Sequence, residues 1–163
     1  MKIRILTTGG TIDKIYFDAK SEFQVGEPQI GELLREAIVS FDFTVESILK
    51  KDSLDMTDDD RDLIRRHVRD DDCDRILITH GTDTMVVTAK ALLGIEGKTV
   101  VLTGSMQPAR LRVSDAIFNI GFAIAAVQLL GAGVYIAMNG RVFDPRTVRK
   151  NIERHRFEQV ESS

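Results

Sequence analysis

The sequence contains a single cysteine, Cys73, so no disulfide can form within the chain. A lone cysteine suits a reducing compartment. The sequence does not open with a basic segment followed by an apolar run, which is the pattern of a secretion signal. We therefore expect the protein to be cytoplasmic.

The chain also lacks a strong excess of either charge. Its 22 lysine and arginine residues face 25 aspartate and glutamate residues, a net charge of −3. No basic stripe stands out, so we do not expect a nucleic-acid partner. The acidic run at residues 70–74 lacks the ligand spacing and the glycine of a calcium loop. We therefore do not expect a metal there.

One long apolar run, residues 116–138, has the length needed to cross a bilayer. Asn119 and Gln128 interrupt it, and Gly131-Ala132-Gly133 divides it into a helix-like half and a strand-like half. We predict a buried helix, a tight turn and a buried strand rather than a membrane span.

The arrangement of the apolar segments indicates the fold class. No internal repeat is present, and we predict that residues 1–163 form one domain. Strand-like segments alternate with segments at helical spacing, which favours βαβ units and a mostly parallel sheet. We predict a three-layer α/β fold with helices on both faces. The strand-like segments are residues 2–6, 41–49, 75–79, 98–103 and 134–138.

Two other segments lead to structural predictions, one of a loop and one of a helix. Residues 13–27 have little periodicity and are expected to form a long loop, of the kind that often covers a binding site. The helix predicted over residues 114–130 is apolar around nearly its whole circumference. We expect its own sheet to bury one side and a partner chain the other, giving a homo-oligomer.

The first strand runs into Thr7-Thr8-Gly9-Gly10-Thr11. Two glycines allow a sharp turn and leave backbone N–H groups without a covering side chain, so that a ligand can approach them. Thr11 then lies at the carboxyl end of the strand, where open α/β sheets bind ligands. A hydroxyl beside free N–H groups is the arrangement of a nucleophile and its oxyanion hole. Alternatively, the glycines only form a turn and Thr11 caps a helix.

Two further strands end in similar turns, His80-Gly81-Thr82-Asp83-Thr84 and Gly104-Ser105. The ends of parallel strands share one edge of a sheet, so the three turns can converge on a single pocket. Thr82 and Asp83 offer a hydroxyl and a carboxylate, although both types also cap helices. His80 is either a general base or a packed, hydrogen-bonded residue.

Together these turns resemble a known family. Residues 8–12 and 79–84 are similar to the two signature motifs of the bacterial-type L-asparaginases. Residues 52–56 resemble the family's substrate-binding loop, and residues 104–108 resemble its third strand-end turn. Residues 138–139 with 146–150 resemble the segment that carries the catalytic lysine. The resemblance extends from residue 2 to about residue 151, and it implies the fold of the asparaginase N-terminal domain.

The resemblance implies specific roles. Thr11 would attack a side-chain amide and form an acyl-enzyme, while Lys150 would take up a proton through Thr82, with Asp83 in the same group. Ser53 and Asp83 would hold the α-carboxylate and the α-ammonium of the substrate. The substrate-binding residues implied in this way are Gly10, Asp52, Ser53, Gly81 and Asp83. No metal or organic cofactor is implied.

Two points about Lys150 come from its neighbours in sequence. Arg146 and Arg149 would favour the uncharged amine that a base requires, if they lie close to it. Its position alone, without the family resemblance, favours a solvated lysine in a basic tail.

The function implied is hydrolysis of asparagine, or of a related small side-chain amide, to acid and ammonia. The competing hypothesis is a catalytically weak or inactive amino-acid-binding or regulatory module of the same fold. A third possibility is one subunit or fragment whose second domain is supplied by another polypeptide.

The sequence departs from the family in three ways. The family's smaller C-terminal domain follows the segment that matches Lys150, and we expect it to be absent here, which leaves the amino-acid selectivity open. Phe23 stands where the family has a tyrosine that contacts the nucleophile, and Tyr16 is a candidate replacement. Gln107 stands where the family often has arginine.

Overall fold

The computed structural model describes residues 1–17 and 22–160. The strands in chain order are β1 (Lys2–Gly9), β2 (Lys14–Phe17), β3 (Glu22–Val25), β4 (Asp42–Lys51), β5 (Arg75–Thr79), β6 (Thr99–Thr103), β7 (Gly133–Met138), β8 (Arg141–Phe143), β9 (Val148–Asn151) and β10 (Arg156–Gln159). The α-helices are α1 (Ile30–Glu36), α2 (Asp58–Asp70), α3 (Met85–Ala91) and α4 (Ala116–Leu129). Short 3₁₀ turns occupy Thr11–Asp13, Ser53–Asp55 and Pro145–Thr147.

The central sheet has six strands in the order β4-β1-β5-β6-β7-β8. The first five run parallel, and β8 pairs antiparallel with β7. In the middle of the sheet Leu6 pairs with Ile78, Ile78 with Leu102, and Leu102 with Ile136. The carboxyl ends of β1, β5 and β6 therefore reach the same edge, as the sequence predicts.

Alternate residues of the strands feed two separate hydrophobic clusters, one on each face. Leu6 and its neighbours across the sheet pack with buried residues of α2 and α3, such as Ile64 and Met85. Ile5 and its neighbours pack with residues of α1 and α4, such as Leu34 and Ile120. The predicted three-layer α/β fold is confirmed.

The long apolar run is divided as predicted. It forms α4 over Ala116–Leu129 and β7 over Gly133–Met138, with the glycine-containing turn between them. In the part of the chain that the structure describes, no helix has both the length and the apolar character that a membrane crossing requires.

The expectation of a long loop over residues 13–27 is wrong. Residues 14–17 and 22–25 form β2 and β3, which pair antiparallel, with Lys14 opposite Val25 and Tyr16 opposite Phe23. Each strand has only four residues, too few for alternation to stand out from the sequence. Residues 18–21 lie outside the described part of this segment.

Candidate active site

The turns that follow β1, β4 and β5 are held in contact by two glycines. A Cβ on Gly10, whose φ is +89°, would lie 2.5 Å from the Cα of Gly81. A Cβ on Gly81 would in turn lie 2.6 Å from the Oγ of Ser53. No side chain fits at either position, because real Cβ contacts are not this short. The backbones next to Thr11 and Thr82 therefore lie side by side, with Ser53 beneath Gly81.

Lys150 reaches this site from the antiparallel pair β9–β10. Its Nζ donates to Thr82 Oγ1 at 2.7 Å and lies 2.6 Å from Asp83 Oδ1. Its side chain is only 15% exposed. The alternative of a solvated lysine in a basic tail is therefore wrong, and Lys150, Thr82 and Asp83 form one hydrogen-bonded group.

The two arginines near Lys150 in sequence are each paired with a carboxylate of another residue. Arg149 precedes Lys150 on β9, so the two side chains point to opposite faces of the strand. Arg149 pairs with Glu158 at 3.8 Å, and Arg146 pairs with Asp144 at 3.0 Å. The charged group in contact with Lys150 is a carboxylate instead.

Thr11 opens the 3₁₀ turn that follows β1 and is partly exposed. The Gly10 N–H before it donates to the Lys51 carbonyl at 3.0 Å, which fixes the entry to the turn. The hydrogen bonds of Lys150 among the described residues go to Thr82 and Asp83 and do not include Thr11 Oγ1. Hydrogen bonds of a catalytic group are often completed only in the substrate complex.

Ser53 is 1% exposed, yet its Oγ has no hydrogen-bond partner among the described residues. Buried hydroxyls normally have a partner, so an unpaired one beside two strand-end turns is suited to a bound ligand. The Ser53 carbonyl accepts a hydrogen bond from Thr84 Oγ1 at 2.8 Å, which fixes the loop to the start of α3.

Asp52 already has partners within the chain. Its carboxylate pairs with Lys14 at 2.7 Å and accepts the Leu54 N–H at 3.1 Å. Burial would raise the pKa of Asp52, but the hydrogen bonds from Lys14 and the loop backbone outweigh it and hold that pKa below its ordinary value. Asp52 thus shapes the loop that presents Ser53.

His80 lies beneath the site and is fully buried. Its Nδ1 is 2.7 Å from the Gly81 carbonyl, which can only accept, so Nδ1 carries the proton and Nε2 accepts from Thr88 Oγ1 at 2.8 Å. Burial lowers the pKa of His80 to about 4. The histidine is therefore neutral at pH 7 with both nitrogens engaged, which favours the packed, hydrogen-bonded interpretation over a general base.

The third strand-end turn is held by residues whose role the sequence did not reveal. The Asp115 carboxylate accepts the N–H groups of Met106 and Gln107 at about 3.0 Å. Asn119 donates to the Gly104 carbonyl at 3.0 Å and to Asp115 at 3.0 Å. The sequence feature that could have indicated this role is Asn119 itself, a polar residue inside an apolar helix. A buried amide there needs hydrogen-bond partners.

The β2–β3 pair lies beside the site and carries the two aromatic residues in question. Tyr16 faces Phe23 directly across the pair, with ring centroids 5.5 Å apart in an edge-to-face arrangement. About half of each side chain is exposed. The phenol of Tyr16 therefore lies directly across the strand pair from Phe23.

These features define an α/β protein with a hydroxyl- and lysine-containing site at the carboxyl edge of its parallel sheet. The chain belongs to the asparaginase family, because residues 2–162 match the family model of the asparaginase N-terminal domain.

Individual relatives agree with this assignment. The L-asparaginase 2 of Escherichia coli and a probable periplasmic L-asparaginase of Haemophilus influenzae are each 34% identical over 160 residues, covering 91% of this chain and 46% of the relative. A glutaminase-asparaginase of Acinetobacter glutaminasificans is 31% identical over 93% of this chain. The thermostable L-asparaginase of Thermococcus kodakarensis superposes with a TM-score of 0.83 at 28% identity, covering 100% of this chain and 52% of that one. The chain spans about half the length of these relatives.

One acidic residue near Thr11 has an environment that the sequence pattern did not indicate. Asp13 is 1% exposed, and its Oδ1 accepts the Gln29 N–H at 2.9 Å. Burial raises the pKa of Asp13 to about 6, against an ordinary value of 3.8, and Glu27 adds to the rise while the Gln29 N–H opposes it.

A raised pKa of an acid in the folded state means that the folded protein binds the proton more tightly than the unfolded chain. The contribution of Asp13 to stability is therefore greatest below pH 4 and is lost as the pH rises to about 6.

We predict a pH-dependent effect of Asp13→Asn on stability. The unfolding free energy of this variant minus that of the wild type should be about 3 kcal/mol larger at pH 7.5 than at pH 3.5. Urea unfolding at both pH values measures this difference. Asp42→Asn, at an exposed position, is the control and should show no such gain. An equal effect of Asp13→Asn at the two pH values would contradict the prediction.

Proposed function

We propose that this chain carries the hydrolytic site of an amidohydrolase, which converts asparagine or a related small side-chain amide to acid and ammonia. The observation that supports this most is the hydrogen-bonded group of Lys150, Thr82 and Asp83 beside the turn that carries Thr11. The printed names of the relatives, L-asparaginase and glutaminase-asparaginase, point to the same substrate class.

The proposed chemistry begins with attack of Thr11 Oγ1 on the amide carbon. Lys150, as the free amine, takes up the hydroxyl proton through Thr82 Oγ1. Backbone N–H groups at the Gly10–Thr11 turn and at Thr82 are candidates to stabilise the oxyanion, each worth about 3–4 kcal/mol. The proton then passes to the leaving nitrogen, ammonia departs, and Thr11 holds the acyl group as an ester. Water hydrolyses this ester, releasing the acid and restoring the hydroxyl.

The proposed substrate contacts follow from the unsatisfied groups. Ser53 Oγ has no partner among the described residues and could donate to an α-carboxylate. Asp83 uses Oδ1 for Lys150 and is 43% exposed, so its second oxygen is available to an α-ammonium. Gly10 and Gly81 contribute by letting the two turns and the Ser53 loop lie in contact at the edge of the proposed site. Asp52 supports the Ser53 loop.

The competing proposal is an amino-acid-binding or regulatory module without efficient turnover. One observation favours it: Phe23 lacks the hydroxyl expected at its position from the family resemblance.

Ammonia release from asparagine, glutamine and longer amides tests the enzyme proposal. We expect Thr11→Ala to abolish release, because it removes the attacking oxygen, and Lys150→Met to reduce kcat by about 100-fold or more, because it removes the proton acceptor. Lys90→Met, at an exposed position on α3, is the matched control and should keep wild-type activity.

Release by the wild type no faster than by Thr11→Ala would defeat the enzyme proposal. The binding module would instead show a raised melting temperature with asparagine or aspartate and no ammonia. A ligand present at about 100 times its Kd should add about 2.7 kcal/mol of stability.

We further propose that the protein is a homo-oligomer and that the outward face of α4 forms the contact. Ile117 and Leu129 on this face are 65% and 84% exposed, and an apolar groove of about 360 Å³ lies between α1 and α4. Exposed apolar surface of this kind is typical of an interaction site.

Light scattering tests the oligomer. We expect Ile117→Asp to shift the wild-type oligomer towards monomer, because a charge would be buried at the contact. Val87→Asp on α3, an exposed apolar residue on the other face of the sheet, should leave the oligomer unchanged. A wild-type protein that is only monomeric at micromolar concentration would contradict the proposal.

A cytoplasmic location also remains a proposal, supported by the free thiol of Cys73. The relatives differ in this respect, since one is named a periplasmic enzyme and a structural relative from Campylobacter jejuni a cytoplasmic one. Recovery of the protein with a periplasmic marker on cell fractionation would contradict it.

A further inference from the structure

The antiparallel pair β9–β10, which carries Lys150, forms a two-stranded sheet separate from the central one. A pair of this size is at best marginally stable alone and needs a larger body to pack against. Val148 and Phe157 supply that contact, since they are 4% and 3% exposed and belong to the hydrophobic cluster on the α2–α3 side of the sheet. Apolar packing has no preferred direction, so it does not by itself fix where Lys150 lies on that surface.

A directional contact reaches the pair at the residue opposite Lys150. Phe157 is the cross-strand partner of Lys150, and residues opposed in this way extend to the same face of the pair. Lys150 therefore extends to the side on which Phe157 is buried, where its Nζ reaches Thr82. The Phe157 N–H donates to Asn139 Oδ1 at 2.9 Å. This hydrogen bond to the turn after β7 holds β10 at the level of Lys150, and we call it the Asn139 anchor.

Asn139 is itself held from the other side. Its N–H donates to Asn119 Oδ1 at 3.1 Å, and Asn119 is 1% exposed. The Nδ2 of Asn119 donates to the Gly104 carbonyl at 3.0 Å. The acceptor of the Phe157 N–H is therefore connected, through one buried amide, to a strand end at the site edge of the central sheet.

The alternative is that Asn139 serves only the turn between β7 and β8. Met138 pairs with Arg141, so Asn139 and Gly140 form a two-residue turn, with φ values of +54° and +74°. Such turns favour Asn-Gly, but Asp-Gly and Gly-Gly are also common in them. The turn therefore accepts asparagine, aspartate or glycine, whereas the anchor requires a side-chain oxygen. Substitutions among these three residue types separate the two interpretations.

We propose that Asn139 is a positioning residue for Lys150: its side-chain oxygen fixes β10 opposite Lys150 and thereby keeps Lys150 Nζ within hydrogen-bond distance of Thr82 Oγ1. The effect on turnover rests on the proposed function, whereas the anchor and the position of Lys150 do not. The variants are expected to fold, because glycine and aspartate both suit the turn and the packing of Phe157 and Val148 is left intact.

Amide hydrogen exchange at Phe157 measures the anchor directly. Protection is taken relative to the Leu77 amide in the core strand β5, so that a change in global stability cancels. We expect Asn139→Gly to lower the relative protection at least about fivefold, because the Phe157 N–H loses its acceptor. Asn139→Asp keeps an acceptor oxygen and should stay within about twofold of the wild type. Equal protection in Asn139→Gly and the wild type would overturn the anchor.

A crystal structure of Asn139→Gly tests the position of Lys150 without any assay of activity. We expect the distance from Lys150 Nζ to Thr82 Oγ1, 2.7 Å in the wild type, to exceed 3.5 Å, the limit of a hydrogen bond. The same distance in Asn139→Asp should match the wild type. An unchanged distance in Asn139→Gly would overturn the positioning role.

Steady-state kinetics, with the amide that the wild type hydrolyses fastest, separate positioning from a purely structural role. Positioning predicts that kcat of Asn139→Gly falls about tenfold or more, because small misplacements of a reacting group are costly. KM should change less than about twofold, since Ser53 lies on another segment, and Asn139→Asp should recover kcat. A structural role predicts a lower melting temperature with unchanged kcat, and that result would overturn the proposal.

Failure of the proposed function gives a different result. If the wild type releases no ammonia from any amide, the enzyme proposal is wrong, and the exchange and crystallographic experiments alone decide whether Asn139 positions Lys150.

Discussion

The close approach of Gly10 to Gly81 is the contact on which the rest of the site depends. Parallel strands bring the ends of β1 and β5 to one edge, but only residues without a Cβ let the two turns touch. The contact brings the backbone at Gly10 against the backbone at Gly81, although 71 positions separate them in sequence. Ser53, from a third strand, lies against the same glycine.

The second constraint is the path of the chain after the main sheet. Lys150 follows β8, which is the edge strand of the sheet, yet its side chain contacts the turn after β5. The β9–β10 pair positions Lys150 there. Asn139 contributes to this positioning, because its Oδ1 accepts the Phe157 N–H at 2.9 Å while its own N–H donates to Asn119 at 3.1 Å. The same Asn119 supports the Gly104 turn, so one buried amide links the third strand end to the segment carrying Lys150.

The buried polar groups around the site differ in how completely they are hydrogen-bonded. His80 and Asn119 are fully engaged, which makes their turns rigid. Ser53 and Asp13 are less well satisfied, and such positions carry a cost in stability that a well-packed apolar residue would avoid. Ser53 lies against Gly81, and Asp13 is two residues from Thr11.

The sequence by itself determined the layers of the fold and the identity of the strand-end turns. Buried parallel strands are continuous apolar runs, and glycines mark sharp turns, so local pattern is sufficient for both. The sequence did not indicate the four-residue strands β2 and β3 or the surroundings of Asp13. It also did not indicate that the side chains of Arg149 and Lys150 point to opposite faces of β9. Each of these depends on partners distant in sequence, such as Gln29 for Asp13 and Thr82 for Lys150. Only the tertiary structure decides them, because hydrogen-bond partners and burial are set by packing between segments rather than by the residues that adjoin each group in the chain.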